Sequence, residues 1–243
     1  MLLHEHLENG ADKNPNFPFS EFEGNSLSYQ EANLLSNQLA NKLVSEGLEV
    51  GDRFAFLAKN CTEMAIMYYA ASKVGAVPVP LNYRLADQEW AYIINDSEAK
   101  LIIVKGNEYS DRINQISSEL KNVKKYISIS LDNSIEKFQD FYDWLSDSSN
   151  EKPTLKIHEN DDVYQMYTSG TTGHPKGAVL LQRNVAANIR QYLNSLTLPR
   201  PSRTLLVAPM YHAAAMINMC GCIAIGGTIA VSYTHLRAHE TRT

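Results

Sequence analysis

Short apolar runs alternate with segments of helical periodicity along the chain, and this alternation is the strongest constraint on the fold. The run RFAFLA, which starts at Arg53, precedes the helical pattern MAIMYYAASKVG, which ends at Gly75. The order repeats through DQEWAYIIND and KLIIV, then EYSDRINQISSELKN and YISIS, and it closes with the helical pattern IEKFQDFYDWL. Such alternation is typical of a mostly parallel sheet that helices cover on both faces. The sequence therefore predicts the α/β class.

Two helix starts and one strand position are also indicated. Ser28 and Glu31 have the spacing of a capping box and predict a helix over about 29–46. Asn60 and Glu63 repeat this signature before the next helical pattern. The run AVPVPLN predicts a short strand with two prolines, and proline has no N–H to give a neighbouring strand. We therefore expect this strand at an edge of the sheet or at its end.

The second half of the chain begins with a polar stretch. Residues 146–162 are rich in turn formers, which is typical of a linker between subdomains. Beyond it, the apolar runs VYQMYT and GAVLLQ flank the segment YTSGTTGHPKGA, residues 183–196 have helical character, and RTLLVAP predicts a strand. The apolar run from Ala213 is broken by glycines, so it predicts a buried helix, a turn and a strand, and not a membrane span.

Charge and cysteine content exclude several functional classes. The formal net charge is −5 over 243 residues, and the basic cluster KNVKK is too short for a nucleic-acid interface. Three cysteines are an odd number without a disulfide framework, which fits a reducing, cytoplasmic environment. Cys220 and Cys222 lie in an apolar stretch, so we expect packed thiols and no zinc site. The first residues lack the apolar segment of a signal peptide.

The segment Tyr167 to Ala178, YTSGTTGHPKGA, is the best candidate for a functional site. Its hydroxyl groups sit on short side chains, and its glycines let successive backbone N–H groups point into one concavity. This arrangement suits phosphate oxygens, and Lys176 adds a mobile positive charge after the stiff Pro175. The alternatives are a flexible linker and a plain hairpin loop whose serine, threonine and glycine residues only form the turn.

The segment differs from the Walker loop of nucleotide triphosphatases. That motif has glycine immediately before its lysine and a hydroxyl residue immediately after it, whereas Pro175 precedes Lys176 and Gly177 follows it. The segment also leads from one apolar strand into another. A helix dipole directly behind a bound phosphate is therefore not expected here.

YTSGTTGHPKGA resembles the signature loop of the adenylate-forming (AMP-binding) superfamily, which includes acyl-CoA synthetases, luciferases and the adenylation domains of peptide synthetases. Further segments resemble other blocks of that family in order and spacing: LSYQEAN from Leu27, SKVGAVPVPLNYRL from Ser72 and PMYHAAAM from Pro209. The likeness covers Leu2 to Val231. PLNYRL followed by IINDSEAKLIIV is similar to acyl-CoA and aryl-CoA ligases, which favours CoA over another acceptor, because peptide-synthetase domains carry an aspartate-proline version of this block.

The resemblance implies layered, mostly parallel sheets flanked by helices and a reaction in two steps. A fatty or aryl acid attacks the α-phosphorus of ATP, with Mg²⁺ on the phosphates, and CoA then displaces AMP. The implied phosphate-binding residues are Thr168, Ser169, Gly170, Thr171, Thr172, Gly173 and Lys176. The implied catalytic residues are Lys176 and His212, and no metal-ligating side chain is implied.

His212 matches a family position near the substrate carboxylate. The alternative is a buried histidine that bonds to the backbone at a helix start. Asn82 and Arg84 are expected at the surface or as helix caps, and His174 has no expected role. Packing roles are expected for four aromatic residues: Tyr167, Tyr211, Trp90 and Trp144.

By the same resemblance, residues 1–231 form part of the N-terminal AMP-binding domain. The family's later blocks for adenine, ribose and the mobile C-terminal lysine do not occur before Thr243. Residues 232–243, SYTHLRAHETRT, resemble translated sequencing-adapter readthrough, so we expect a non-native tail. We therefore expect the chain to be an inactive part of a ligase, and the alternative is a truncated, non-catalytic protein that binds phosphate or a partner.

Overall fold

Helices and strands alternate along most of the computed structural model, which describes residues 1–129, 135, 137–168, 173–196 and 202–232. The α-helices are α1 (Leu3–Lys13), α2 (Tyr29–Ser45), α3 (Thr62–Val74), α4 (Asp87–Asp96), α5 (Asn107–Ile116), α6 (Phe141–Leu145), α7 (Gln182–Ser195) and α8 (Ala213–Ala224). The strands are β1 (Pro18–Phe22), β2 (Asn25–Ser28), β3 (Arg53–Leu57), β4 (Val77–Leu81), β5 (Leu101–Lys105), β6 (Lys125–Ile129), β7 (Phe138–Asp140), β8 (Asp162–Thr168), β9 (Lys176–Leu181), β10 (Arg203–Leu206) and β11 (Thr228–Val231).

A five-stranded parallel sheet has the order β4-β3-β5-β6-β7. Its strands β3 and β5 are continuous apolar runs, as expected for a sheet that is covered on both faces. Among the described strands, β4, with Pro78 and Pro80, lies at the edge of this sheet and pairs with β3. The edge position predicted from the two prolines is confirmed.

A second sheet has the order β10-β11-β1-β2, in which only β2 is antiparallel to its neighbour. Helix α3 lies between the two sheets. The ring of Tyr68 packs edge-on against Phe56 of β3, with centroids 5.6 Å apart, and that of Tyr69 packs against Phe19 of β1 at 6.1 Å. The predicted α/β class with layered, mostly parallel sheets is confirmed.

The helix signals at Ser28 and Gly75 are confirmed. The Ser28 hydroxyl accepts the Glu31 N–H at 3.2 Å, and the Glu31 carboxylate accepts the Ser28 N–H at 2.8 Å, so the capping box starts α2. Helix α3 ends at Gly75, whose φ of +71° is a left-handed conformation that glycine adopts without strain. Trp90 and Trp144 are fully buried core residues, as expected.

Two local predictions were wrong. Asn60 does not cap α3, because Cys61 holds the cap position and the Asn60 amide bonds to more distant backbone. The pattern IEKFQDFYDWL is not one helix, since Phe138–Asp140 pairs with β6 and, among its described residues, the helix is confined to Phe141–Leu145. The Asp140 carboxylate accepts the first free N–H groups of α6 and so separates the strand from the helix.

The first part of the polar stretch 146–162 lies along α2. The Asn37 side-chain amide donates to the Asn150 carbonyl oxygen at 3.0 Å, and Asn41 donates to the carbonyl oxygens of Ser149 and Glu151, both at 2.8 Å. Its role as a subdomain linker stays a prediction. Within the described ranges, no helix has the length and the apolar character needed to cross a membrane.

Candidate functional site

The candidate phosphate loop connects β8 and β9, which pair as an antiparallel hairpin. Thr168 and Lys176 are the last cross-strand pair before the loop, and the Thr168 hydroxyl donates to the Lys176 carbonyl oxygen at 3.5 Å. Side chains of directly opposed antiparallel residues lie on the same face of the hairpin. Because both residues are exposed, the hairpin presents a hydroxyl and an ammonium group together beside the loop.

Within the loop, the structure describes one predicted phosphate-binding residue, Gly173. The other four, Ser169, Gly170, Thr171 and Thr172, lie outside the described residues. Gly173 has a φ of +154°, a conformation that residues with side chains rarely adopt. Gly177 is required for a different reason, because a Cβ there would clash with the side chains of Gln165 and Tyr167. The glycine after Lys176 thus lets the hairpin pack against its own side chains.

Helix α4 contacts both strands of the hairpin next to the loop. On β8, the Tyr167 hydroxyl donates to Asp96 Oδ2 at 2.6 Å. At the start of β9, the Tyr92 hydroxyl donates to the Pro175 carbonyl oxygen at 3.3 Å, and the Tyr92 ring stacks on His174 with centroids 4.7 Å apart and planes at 20°. Sequence reasoning missed these contacts, because the two α4 residues are more than 70 positions away from the hairpin.

The Tyr167 hydroxyl belongs to a longer chain of hydrogen bonds. It accepts a hydrogen bond from Gln165 Nε2 at 3.0 Å, and Gln165 Oε1 accepts one from Arg53 Nε at 3.3 Å. Burial and the Asp96 carboxylate raise the pKa of Tyr167 above its usual value, so its hydroxyl stays protonated and donates at neutral pH. The chain of bonds connects the hairpin to the start of β3 as well as to α4.

His212 lies at the N-terminal end of α8, where its carbonyl oxygen accepts the first helical hydrogen bonds. Its ring is exposed and packs against Tyr211 with centroids 4.3 Å apart, which excludes the buried alternative. Partial burial and the nearby Arg84 guanidinium lower the pKa of His212, so the imidazole is neutral at pH 7. A neutral imidazole can donate a hydrogen bond to a carboxylate from one ring nitrogen.

Asn60 fixes the backbone that leads to His212, a role that local sequence patterns did not show. Its side-chain amide is buried and donates to the carbonyl oxygens of Ala208 at 2.9 Å and Ser232 at 3.0 Å. Its Oδ1 accepts the Met210 N–H at 2.7 Å. One side chain thereby joins the end of β3, the segment after β10 and the end of β11.

The segment from β4 through α4 joins the hairpin to the His212 region. Tyr83, after β4, packs edge-on against Tyr211 with centroids 5.5 Å apart, while α4 contacts the hairpin. Asn82 forms a turn in which its Oδ1 accepts the Arg84 N–H at 3.0 Å, and its carbonyl oxygen accepts Trp90 Nε1 at 2.8 Å. Asn82 is thus a turn residue and does not cap α4, which starts after Ala86.

The segment from β4 through α4 therefore contacts both regions: Tyr83 packs against the PMYHAAAM segment, and α4 bonds to the hairpin. A family model described as AMP-binding enzyme matches residues 7–242. The chain belongs to the AMP-binding enzyme family. The matched range includes both segments that resemble blocks of this family in the sequence.

Individual AMP-binding enzymes support this assignment. The chain is 33% identical over 195 residues to the long-chain-fatty-acid–CoA ligase FadD13 of Mycobacterium tuberculosis, covering 79% of this chain and 37% of that protein. It is 30% identical over 207 residues to the feruloyl-CoA synthase of an Amycolatopsis species, covering 85% and 39%. The inhibitor-bound N-terminal domain of FACL13 from M. tuberculosis matches with a TM-score of 0.86 and 28% identity, over 96% of this chain and 57% of that one. The chain thus spans less than two fifths of the length of these two curated relatives.

The family resemblance implies Mg²⁺ on the phosphates of ATP. Among the residues that the structure describes, no group of three or more His, Cys, Asp or Glu side chains is placed to hold a metal ion. Mg²⁺ needs oxygen ligands in near-octahedral geometry, and enzymes often supply many of them from water and substrate phosphates. Of the two groups beside the loop, the Lys176 ammonium has only donors and fits an anion, whereas the Thr168 hydroxyl can both donate and accept.

A cavity of about 800 Å³ lies on another part of the described structure. It is bounded by α1, α7 and the turn after α8, with Phe17, Ile189 and Leu193 among its apolar walls and Gly226 at the turn. Helix α8 is 12 residues long, about 18 Å, and His212 lies at its other end. Neither His212 nor a residue of the hairpin is among the residues that line this cavity.

Proposed function

We propose that this chain carries the phosphate-binding part of a ligase that activates a carboxylic acid with ATP and transfers the acyl group to CoA. The observation that carries the proposal is the hairpin of β8 and β9, which presents Thr168 and Lys176 on one face beside a glycine-rich, hydroxyl-rich loop. Hydroxyl and ammonium donors suit the oxygens of pyrophosphate. Membership of the AMP-binding enzyme family supports the same reaction.

In the first step, a carboxylate oxygen attacks the α-phosphorus of ATP, which forms the acyl-adenylate and releases pyrophosphate. In the second step, the CoA sulfur attacks the acyl carbon, and AMP leaves with the electron pair of the broken bond. Neither step needs a nucleophilic side chain, since alignment and stabilisation of charge lower both barriers. This agrees with a site composed of hydrogen-bond donors.

The predicted residues receive the following roles. Thr168, Gly173 and Lys176, with Ser169, Gly170, Thr171 and Thr172, bind the β- and γ-phosphates and the departing pyrophosphate. His212 donates a hydrogen bond to the acid's carboxylate, next to Arg84 and the N-terminal end of α8, which both favour a negative charge there. Mg²⁺ arrives with ATP and is given no protein ligand.

The substrate is proposed to be a fatty or aryl acid. Support comes from two relatives, one named for long-chain fatty acids and the other for a feruloyl group. Residues 1–231 are proposed to be part of the N-terminal domain, and the location is proposed to be the cytoplasm. Among the described residues, the three cysteines are buried and unpaired, which fits that location.

Lys176→Ala tests the assignment of the loop. Inorganic pyrophosphate is titrated into the 243-residue chain by isothermal titration calorimetry, and the variant is expected to bind about tenfold more weakly because a charge-assisted contact is lost. Lys13→Ala, at an exposed lysine in α1 outside the hairpin, is the matched control and should bind as the wild type does. Equal affinity of Lys176→Ala and the wild type would contradict the proposal.

A second assay separates binding from catalysis. The same chain is given ATP, Mg²⁺, CoA and a panel of fatty and aryl acids, and pyrophosphate release is measured. Release that depends on the acid would support catalysis by the chain itself, and binding without release would limit its role to the phosphate step. Thr172→Val, which removes a hydroxyl at similar volume, should weaken pyrophosphate binding if that residue is a ligand.

A further inference from the structure

We propose that Tyr92 and Asp96 are positioning residues for the phosphate loop, because α4 holds both strands of the hairpin at the points where the loop begins and ends. The inference rests on the proposed function, since it takes Lys176 as a ligand of pyrophosphate. Neither residue is part of the buried face of α4, which consists of Trp90, Ala91, Ile93 and Ile94. Tyr92 is half-buried beside the core that this face forms, and Asp96 is exposed, so the polar groups of both residues can reach the hairpin.

Tyr92 acts on the peptide unit that precedes Lys176. The Pro175 carbonyl and the Lys176 N–H belong to one planar peptide group, so a hydrogen bond to the carbonyl oxygen restricts the orientation of the whole group. The His174 ring, stacked at 4.7 Å, fixes the plane of the Tyr92 ring and so directs its hydroxyl. Together these contacts determine the direction in which the Lys176 side chain leaves the hairpin.

Asp96 acts on the opposite strand. Its Oδ2 accepts the Tyr167 hydroxyl at 2.6 Å, and Tyr167 pairs with Gly177 across the hairpin, one position from the Thr168 and Lys176 pair. Charge-assisted hydrogen bonds of this kind are short and strong. Tyr167 and Pro175, which lie next to Thr168 and Lys176, thus bond to the same helix, and their partners Asp96 and Tyr92 are four residues apart in α4.

The position of Asp96 within α4 supports a role outside the helix. It is the last residue of α4, where the helix dipole disfavours a negative charge, and it is exposed. Burial and the Asp96 carboxylate raise the pKa of Tyr167 above its usual value, and slight desolvation and the same carboxylate raise that of Tyr92. Both tyrosines thus remain neutral donors, and neither adds a negative charge that would repel phosphate.

Four variants of the 243-residue chain test the inference by titration with inorganic pyrophosphate. Tyr92→Phe keeps the ring on His174 and removes the hydroxyl, and Asp96→Ala removes the acceptor of Tyr167; each is expected to weaken binding about three- to tenfold. Asp96→Asn keeps an acceptor oxygen and should restore binding to within twofold of the wild type. Tyr126→Phe, whose hydroxyl bonds to Ser117 elsewhere, should bind as the wild type does.

A double-mutant cycle with Lys176→Ala separates positioning from general stability. If Tyr92 acts by orienting Lys176, then Tyr92→Phe should have less than a twofold effect once the lysine is absent. Thermal unfolding of each variant is followed by circular dichroism. If Asp96→Ala lowers the midpoint by several degrees, Tyr167→Phe replaces it, because that variant removes the Tyr167–Asp96 hydrogen bond from the other side. The Tyr92→Phe cycle is interpreted at a temperature at which circular dichroism shows every variant to be folded.

The outcomes distinguish the two proposals. If Lys176→Ala binds pyrophosphate as tightly as the wild type, the proposed function fails, and this inference fails with it. If Lys176→Ala weakens binding while Tyr92→Phe and Asp96→Ala do not, the function stands and α4 has no positioning role. Losses that add fully in the double mutant would also overturn the inference, because Tyr92 would then act independently of Lys176.

Discussion

Helices α3 and α4 precede and follow the same strand, β4, yet they differ in how much of their surface is buried. Every residue of α3 except Thr62 is buried, because the helix lies between the two sheets. Helix α4 buries one face only, and its outer face carries Tyr92 and Asp96, which contact the hairpin. The central helix therefore holds the sheets together, whereas the outer helix has side chains available for the site.

The two helices should differ most in how much the free energy of unfolding falls when one of their side chains is truncated. Met67→Ala should lower the free energy of unfolding by about 3 kcal/mol, because its side chain is fully buried and leaves a cavity. Gln88→Ala, on the outer face of α4, is the matched control and should change it by less than about 0.5 kcal/mol. Urea unfolding measures the free energy of unfolding of both variants. Similar decreases in the two variants would show that the two helices are equally buried in solution.

Lys73 in α3 makes the stability of the protein depend on pH. Its ammonium group is buried and donates to Asn33 and Asn37 at 2.6 and 2.5 Å, and burial lowers its pKa to about 8 despite the nearby Glu8. The unfolded chain keeps this proton up to about pH 10.4. Above pH 8 the unfolded state thus binds more protons, so the free energy of unfolding should rise with pH.

The expected rise is about 1.4 kcal/mol between pH 7 and pH 9 relative to Lys73→Met, which has no proton to lose. Urea unfolding at both pH values measures it, and Lys121→Met at an exposed position should follow the wild type. If the free energy of unfolding changes equally with pH in the wild type and in Lys73→Met, then the buried ammonium group is not the source of the pH dependence.

The smallest changes in the free energy of unfolding are expected from two adjacent tyrosines of α3. The Tyr68 hydroxyl donates to the Met210 carbonyl oxygen at 3.3 Å, so Tyr68→Phe should lower the free energy of unfolding by about 1 kcal/mol. The Tyr69 hydroxyl is buried beside the Cys220 thiol without an oxygen or nitrogen partner among the described residues, so Tyr69→Phe should be neutral or stabilising. Equal losses from both variants in urea unfolding would contradict this distinction.

Local sequence patterns predicted those helices and strands whose structure depends on their own residues and not on distant partners. Helix α4 was predicted with the bounds Asp87–Asp96, because its apolar positions recur at helical spacing, and β4 was placed at the edge by its prolines. Strand β7 was missed because its assignment depends on pairing with β6, and the residues Phe138–Asp140 also fit a helical pattern. Helix α1 and strands β1 and β2 gave no comparable signal.

The candidate site shows the same limit. The loop segment and His212 were recognised from their resemblance to a family, and the fold placed Thr168 and Lys176 side by side. The roles of Asn60 and Asp96 could not be predicted, because their partners lie about 150 and 71 residues away in sequence. Exposed or turn-like polar residues look alike in sequence, and only the tertiary structure shows which of them touch the site.

The pairing of β1 with β11 has a consequence for the order of folding during synthesis. Ser20 lies opposite Ile229, and the Tyr29 hydroxyl bonds to the Gly227 carbonyl oxygen at 2.6 Å. The ladder between β1 and β11 therefore cannot form until more than 200 further residues have been synthesised. The β3, β5 and β6 ladder, by contrast, needs only the first 129. On the ribosome, the backbone edge of β1 that later pairs with β11 must therefore stay unpaired while most of the chain is translated. Chaperones have access to this edge during that period.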